Sequence, residues 1–427
     1  MSNFTLIGAT LADGSKANIE VKDGIITAIG ADKSGESIDA SGLVALPGFV
    51  DLHTHLREPG FEQSETVKTG SQAAAMGGYT AVHAMANTHP VADTAGVVEQ
   101  VKALGDEAGY VQVQPIGAVT VGLEGKQLAE LGAMADSKAQ VRVFSDDGKC
   151  VHDPLLMRRA LAYVKNFGGV IAQHAQEPRL TENSQMNEGA VSTELGLAGW
   201  PAVAEESIIA RDVLLAEAAG SRIHICHLST EGSVEIIRWA KARGINVTAE
   251  VTPHHLLLTD ELARGYDPVF KVNPPLRTQK DVLALRAALA DGTIDIVATD
   301  HAPHPEEAKD CEWNAAAFGM LGLETAASIA QSVLVDSGIS TWQRFVEVMS
   351  AKPAEISGIK GQGRPLAVGE PANIALIDPS AQRVIQGGGA SKSENQPYNG
   401  MTLPGRVVHT IYCGVFTVRD SKLVERG

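Results

Sequence analysis

From Leu46 onward, apolar runs of strand length alternate with helix-like segments, and no other feature constrains the fold of this 427-residue chain as much. The runs are Gly48–His53, Thr80–Met85, Val111–Gly117, Gln140–Ser145, Gly169–His174, Arg222–His227, Asn246–Val251 and Ile294–Thr299. Strands that are apolar on both faces belong in a parallel sheet covered by helices. The segments between them carry helix punctuation. Asp153-Pro154 offers an N-cap with proline at the first helical position. Thr278 and Asp281 have capping-box spacing, and Gly292 stands where that helix should stop. Ser233–Arg243 ends at Gly244 in the same way. Eight such βα units predict an α/β fold, a (β/α)8 TIM-type barrel over residues 47–358. A doubly wound open sheet has the same periodicity and stays open as the alternative.

The two ends read differently. Phe4–Thr10, Ala17–Val21 and Ile25–Ile29 are short β runs, the last two joined by the hairpin signal Asp23-Gly24. Ala372–Ile377, Arg406–Tyr412 and Val415–Arg419 are similar, and the Gly-, Ser- and Asn-rich stretch Gly387–Gly400 reads as a long loop. The first 46 residues are too few for a core of their own. The expected arrangement is a small β domain built from both ends, residues 1–46 and 359–427.

Charge and cysteine content exclude several classes of function. With 35 Lys+Arg against 51 Asp+Glu, the formal charge of −16 offers no basic field to nucleic acid or an anionic membrane. No apolar run approaches the ~20 residues of a membrane helix. Met1–Thr5 lacks the basic and apolar regions of a signal peptide. Cys150, Cys226, Cys311 and Cys413 show no paired spacing and read as reduced thiols, so a cytoplasmic protein is expected.

The chemistry lies at the strand ends. In Asp51-Leu52-His53-Thr54-His55 the two histidines, two apart on a strand, face the same side, a spacing that suits a divalent transition metal. His174, His227 and Asp300 close the fifth, sixth and eighth runs. In a barrel these ends converge on one mouth. The fourth run ends in Ser145-Asp146-Asp147-Gly148, where a carboxylate could bridge two ions or simply make a turn. His83, His224 and His301 are candidates for orienting ligands from behind. His254-His255 could line the site, while His89, His152 and His409 read as structural or surface residues.

This constellation resembles the amidohydrolase superfamily, and within it the dihydroorotases of the longer bacterial type. The resemblance covers nearly the whole chain. It rests on Asp51-Leu52-His53-Thr54-His55-Leu56-Arg57-Glu58-Pro59-Gly60, Lys271-Val272-Asn273-Pro274-Pro275-Leu276-Arg277 and Ala298-Thr299-Asp300-His301-Ala302-Pro303-His304. It implies metal ligands at His53, His55, Asp147, His174, His227 and Asp300, with Asp146 as the fallback for Asp147. It implies substrate contacts at His55, Arg57, Asn87, Asn273, His304 and the Phe318-Gly319 backbone, and one or two Zn2+ ions per subunit. Two departures stand out. Many amidohydrolases bridge their metals with a carboxylated lysine, whereas Lys149 falls beyond Gly148, off that position. In Met85-Ala86-Asn87-Thr88-His89-Pro90, Ala86 replaces the family's usual proline while Asn87 is retained.

The implied reaction is metal-dependent, reversible hydrolysis of (S)-dihydroorotate to N-carbamoyl-L-aspartate in pyrimidine biosynthesis. Asp300 would move the proton, and Arg57 would grip the small anionic substrate through its carboxylate. The resemblance leaves open a homodimer and an association with aspartate transcarbamoylase. A hydantoinase or allantoinase, or a non-catalytic scaffold, are the competing readings. Glu306–Glu312 reads either as a lid or as a surface loop.

Overall fold

The computed structural model describes residues 3–30 and 35–425. Strands β1 (Phe4–Leu11), β2 (Lys16–Lys22), β3 (Ile25–Ile29), β4 (Glu36–Asp39) and β5 (Val44–Pro47) open the chain. Next come β6 (Phe49–Thr54), β7 (Tyr79–Ala84), β8 (Gln112–Pro115), β9 (Val143–Phe144) and β10 (Val170–Gln173). A two-residue pair, β11 (Met186–Asn187) and β12 (Gly199–Trp200), precedes β13 (Ile223–Ile225), β14 (Val247–Val251) and β15 (Ile296–Val297). The chain finishes with β16 (Ile374–Val384), β17 (Thr402–Tyr412), β18 (Val415–Arg419) and β19 (Lys422–Leu423).

The eight expected runs all contain strands, and they close on themselves. β6, β7 and β8 pair in parallel. A parallel bridge from Gly117 to Phe144 carries the sheet to β9, and β9, β10, β13, β14 and β15 continue it. A second bridge, Thr54 to His301, joins the last strand to the first. An open doubly wound sheet would keep two free edges; this one keeps none, so the barrel is the fold. Its interior is lined by Leu52, Val143, Val170, Ala172, Cys226, Ile296 and Ala298, all buried.

The helices start where their capping chemistry lies. Asp153 accepts the Leu156 amide ahead of Pro154–Val164. Thr278 and Asp281 form a reciprocal capping box on Gln279–Asp291, with Gly292 left-handed beyond it. The helix expected at Ser233 begins earlier, at Glu231, because the Thr230 side chain caps it by accepting the Ser233 amide.

The end strands form one sheet in the order β19-β18-β17-β16-β5-β1-β2-β3, with β4 beside β1. β5 is the hinge of this sheet, parallel to β1 and antiparallel to β16. The apolar face unavailable to 46 residues alone is completed by Ile374, Leu376, Ile411 and Phe416 packing on Phe4, Leu6, Ile19 and Val21. β16 runs seven residues beyond the expected Ile377, to Val384. It passes Pro379 through an irregularity between Asp378 and Gln382, where no ladder hydrogen bond is demanded of the proline.

Candidate metal centre

The carboxyl ends of β6, β10 and β13 and the residue positions just after β9 and β15 put six side chains at one mouth. His55 Nε2 lies 3.1 Å from Asp300 Oδ1 and 3.3 Å from Asp147 Oδ2. His53 Nε2 lies 3.4 Å from both Asp147 Oδ1 and Asp300 Oδ1. Asp147 Oδ1 is also 3.2 Å from His174 Nδ1 and 3.2 Å from His227 Nε2. Two donor sets therefore share Asp147: His53, His55, Asp147 and Asp300, and Asp147, His174 and His227. Asp147 lies where the two sets meet. Asp146 turns away, accepting the amides of Val119 and Thr120 at 2.8 and 3.0 Å and the Thr120 hydroxyl. Lys149 is exposed.

The electrostatics of this group call for a cation. Burial disfavours the charged form of His53, yet Asp147, Glu250 and Asp300 pull its pKa well above the ordinary imidazole range. Burial likewise opposes ionisation of Asp300, but His53 and His55 hold its carboxyl down at about 2. Carboxylates this deeply buried need compensating charge. Backbone strain accompanies the site. Arg57, His227 and Asp300 hold left-handed φ angles of 63°, 31° and 47°. Non-glycine residues in that region cost about 1–3 kcal/mol each and cluster at functional sites.

Two acidic residues behind the cluster have no role assigned from the sequence. Glu250, in β14, accepts from His53 Nδ1 at 2.6 Å, from His224 Nε2 at 2.9 Å and from the His227 amide at 3.2 Å. Burial works against its charge, but His53 and His224 hold its pKa well below the carboxylate range. Glu250 thus fixes His53 with Nε2 facing the carboxylates. A carboxylate inside an otherwise apolar barrel strand was the available signal. Asp51 accepts the amides of His53 and Thr299 at 3.1 and 3.0 Å, tying the first barrel strand to the last. We expect Glu250→Gln to keep the fold and weaken metal binding about 10–100-fold, the usual cost of losing a carboxylate behind a ligating histidine. A competitive chelator titration measures it; unchanged affinity would remove Glu250 from the site.

The remaining candidates surround the cluster. Asn87 Oδ1 meets His55 Nδ1 at 2.9 Å. Arg57 donates from Nε to the Pro303 carbonyl at 3.1 Å and places an Nη 3.4 Å from His304 Nε2. Burial lowers its pKa to about 10, which leaves it charged at neutral pH. His304 Nε2 also pairs with the Phe318 carbonyl at 2.8 Å. The Gly319 amide is donated to the Lys271 carbonyl at 3.0 Å, and a Cβ at Gly319 would meet His304 Nε2 at 2.7 Å. Asn273 donates to Gln176 Oε1 at 3.1 Å, and Gln176 Oε1 meets His174 Nε2 at 2.7 Å. Asn273 Oδ1 is buried, with no donor among the described residues.

Other motif residues hold loops. Arg277 is buried and donates to Asn187 Oδ1, the Trp200 carbonyl and Ser229 Oγ. In the segment after His304, Lys309 is buried and donates to the carbonyls of Pro268, Lys271 and Ala317 at 3.0, 3.0 and 2.7 Å. His301 sits 3.4 Å from Glu65, and His255 bonds Thr252 and the Pro274 and Pro275 carbonyls.

A closed parallel barrel with imidazoles and carboxylates gathered at its carboxyl-terminal mouth defines an amidohydrolase. Comparison with solved structures agrees. An L-hydantoinase (dihydropyrimidinase) from Arthrobacter aurescens superposes with a TM-score of 0.88 at 26% identity, covering 100% of this chain and 98% of its own. A family model described as dihydro-orotase-like matches residues 42–233. Dihydroorotases from Leifsonia xyli and Streptomyces coelicolor are 67% and 66% identical, each over 99% of this chain and 97% and 100% of their own lengths. One from Mycobacterium tuberculosis is 56% identical over 96% of this chain and 97% of its own. The chain belongs to the dihydroorotase family.

Proposed function

We propose that this protein interconverts (S)-dihydroorotate and N-carbamoyl-L-aspartate by hydrolysis and closure of the cyclic amide, a step of pyrimidine biosynthesis. The observation that carries the reading is the convergence of His53, His55, Asp147, His174, His227 and Asp300 on one mouth, with the Arg57 guanidinium beside them.

The residues fit a divalent cation. His53 Nε2 is buried with no hydrogen-bond partner and faces two carboxylates, as a ligating nitrogen would. Imidazole with carboxylate suits zinc, and two donor sets sharing Asp147 suit one or two ions. A bound divalent ion would supply Lewis acidity, acidifying water and drawing electron density from a carbonyl. Asp300, ionised at neutral pH, takes a proton from the attacking water and delivers it to the leaving ring nitrogen as the C–N bond breaks. Arg57 grips the substrate carboxylate. Asn273 Oδ1, without a donor among the described residues, accepts a substrate N–H. Asn87 holds His55, while His304 and the Phe318-Gly319 turn form the wall beside Arg57.

The chain divides functionally into a barrel at residues 47–358 and a small β domain from 1–46 and 359–427. Cytoplasmic location, a homodimer and association with aspartate transcarbamoylase belong to the same proposal. The hydantoinase reading draws on structural likeness, at far lower identity than that of the dihydroorotases.

The test is dihydroorotate hydrolysis by purified protein, with metal content determined on the same sample. Turnover should vanish with chelator and return with zinc. A metal-replete protein that opens hydantoin and ignores dihydroorotate would move the activity to the hydantoinases.

A further inference from the structure

A cavity of about 190 Å3 is lined by none of the six residues of the metal cluster. Its lining includes Gln112, Gln114 and Pro115 of β8, residues between Lys138 and Val143 leading into β9, and Ser357–Lys360 after the last barrel helix. Gln112 and the segment leading into β9 lie at amino-terminal ends of barrel strands, whereas the metal cluster lies at carboxyl-terminal ends. The lining is one-signed. Lys102, Lys138, Arg142 and Lys360 contribute to it, and no aspartate or glutamate does, in a chain whose formal charge is −16. Lys102 is paired with Asp106. Lys138, Arg142 and Lys360 form no ion pair among the described residues, and Arg142 donates only to the Ala135 and Val141 carbonyls. A recess with one sign of charge concentrates the opposite sign.

A second observation narrows the ligand. His83 lines the same cavity and is 1% exposed. Its Nδ1 lies 2.8 Å from the Asp51 carbonyl oxygen, which can only accept, so the proton is on Nδ1. Nε2 is then a bare lone pair, buried and without a partner. Burial keeps the ring neutral, with a pKa lowered to about 4. A buried acceptor left without a donor calls for a ligand or an ordered water. The cavity thus asks for negative charge at its lysines and a hydrogen-bond donor at His83. Hydrogen phosphate supplies both in one small ion, because it keeps an O–H at neutral pH. Sulfate carries the charge but no proton. The volume exceeds several times the ~30 Å3 share of a single water.

We propose that this cavity is a binding site for inorganic hydrogen phosphate, held by Lys138, Arg142 and Lys360 and recognised through its O–H at His83. Calorimetric titration of the holoenzyme with sodium phosphate, and separately with sodium sulfate at equal ionic strength, tests it. Phosphate should bind saturably at one site, and sulfate about tenfold more weakly or worse. Lys138→Ala with Lys360→Ala removes two exposed side chains, leaves the fold intact and should weaken phosphate by at least about tenfold. Phosphate held at the metal centre would persist in that double variant. Undiminished binding there, equal binding of sulfate, or no saturable phosphate binding overturns the assignment.

Discussion

Asp300→Asn is expected to lower kcat for dihydroorotate hydrolysis by about 10³-fold, within the 10²–10⁴ that a positioned general base usually contributes. The substitution is nearly isosteric. It leaves an oxygen near His53 Nε2 and His55 Nε2, which Asp300 Oδ1 approaches at 3.4 and 3.1 Å. What it removes is basicity. In the native protein burial opposes the charge on Asp300, but the two imidazoles hold it ionised, so the group can take a proton at any pH near neutral. An amide cannot. KM should change little, because Asp300 is asked to act on water and the leaving nitrogen, not on the substrate carboxylate. Ring closure of N-carbamoyl-L-aspartate should fall by the same factor, since the equilibrium constant is not the enzyme's to alter. A loss of only a few-fold in a metal-replete sample would move proton transfer to another group.

How far such a site is legible in sequence depends on whether its geometry is local. His53 and His55 are readable because strand periodicity alone puts them on one side. His174, His227 and Asp300 are readable because parallel strands of a closed barrel must end at one mouth. Helix ends at Asp153 and Thr278 are readable because a cap needs only neighbours. Asp146 and Asp147 mark the limit. β9 covers only Val143–Phe144, so strand alternation no longer applies when the chain reaches them. Their orientation is decided by the amides of Val119 and Thr120, 27 and 26 residues earlier in the chain, which capture Asp146 and leave Asp147 to the histidines. Glu250 escaped for a similar reason. Its partners, His53 and His224, come from other strands, and only the closed barrel brings the three together. The extension of β16 past Pro379 depends on its pairing with Leu403 and Thr402, again a non-local fact.

Arg57→Ala should lower kcat/KM for dihydroorotate by about 10³-fold, mostly through KM, with metal content unchanged. A guanidinium can meet a carboxylate with two parallel charge-assisted hydrogen bonds, each worth about 1.5–3 kcal/mol, and 1.4 kcal/mol is a factor of ten. Arg57 is well placed for that role. It stays charged although burial lowers its pKa to about 10, and its Nε bond to the Pro303 carbonyl aims the fork past His304. Among the described residues no carboxylate lies within ion-pair distance of Arg57, whose hydrogen-bonding contacts are the Pro303 carbonyl and His304, so the charge is available to a ligand. Arg57 also ties its loop to the Pro303 carbonyl through Nε, so part of the loss on truncation comes from the loop itself. Two comparisons separate the effects. Arg57→Lys carries the same backbone preference and keeps a charge without the fork, and should recover part of the activity. Dihydrouracil, the same ring without the carboxylate, should lose far less than dihydroorotate in the alanine variant. Equal losses on both substrates would make Arg57 a support of the loop and send the carboxylate to Asn87, Asn273 or His304.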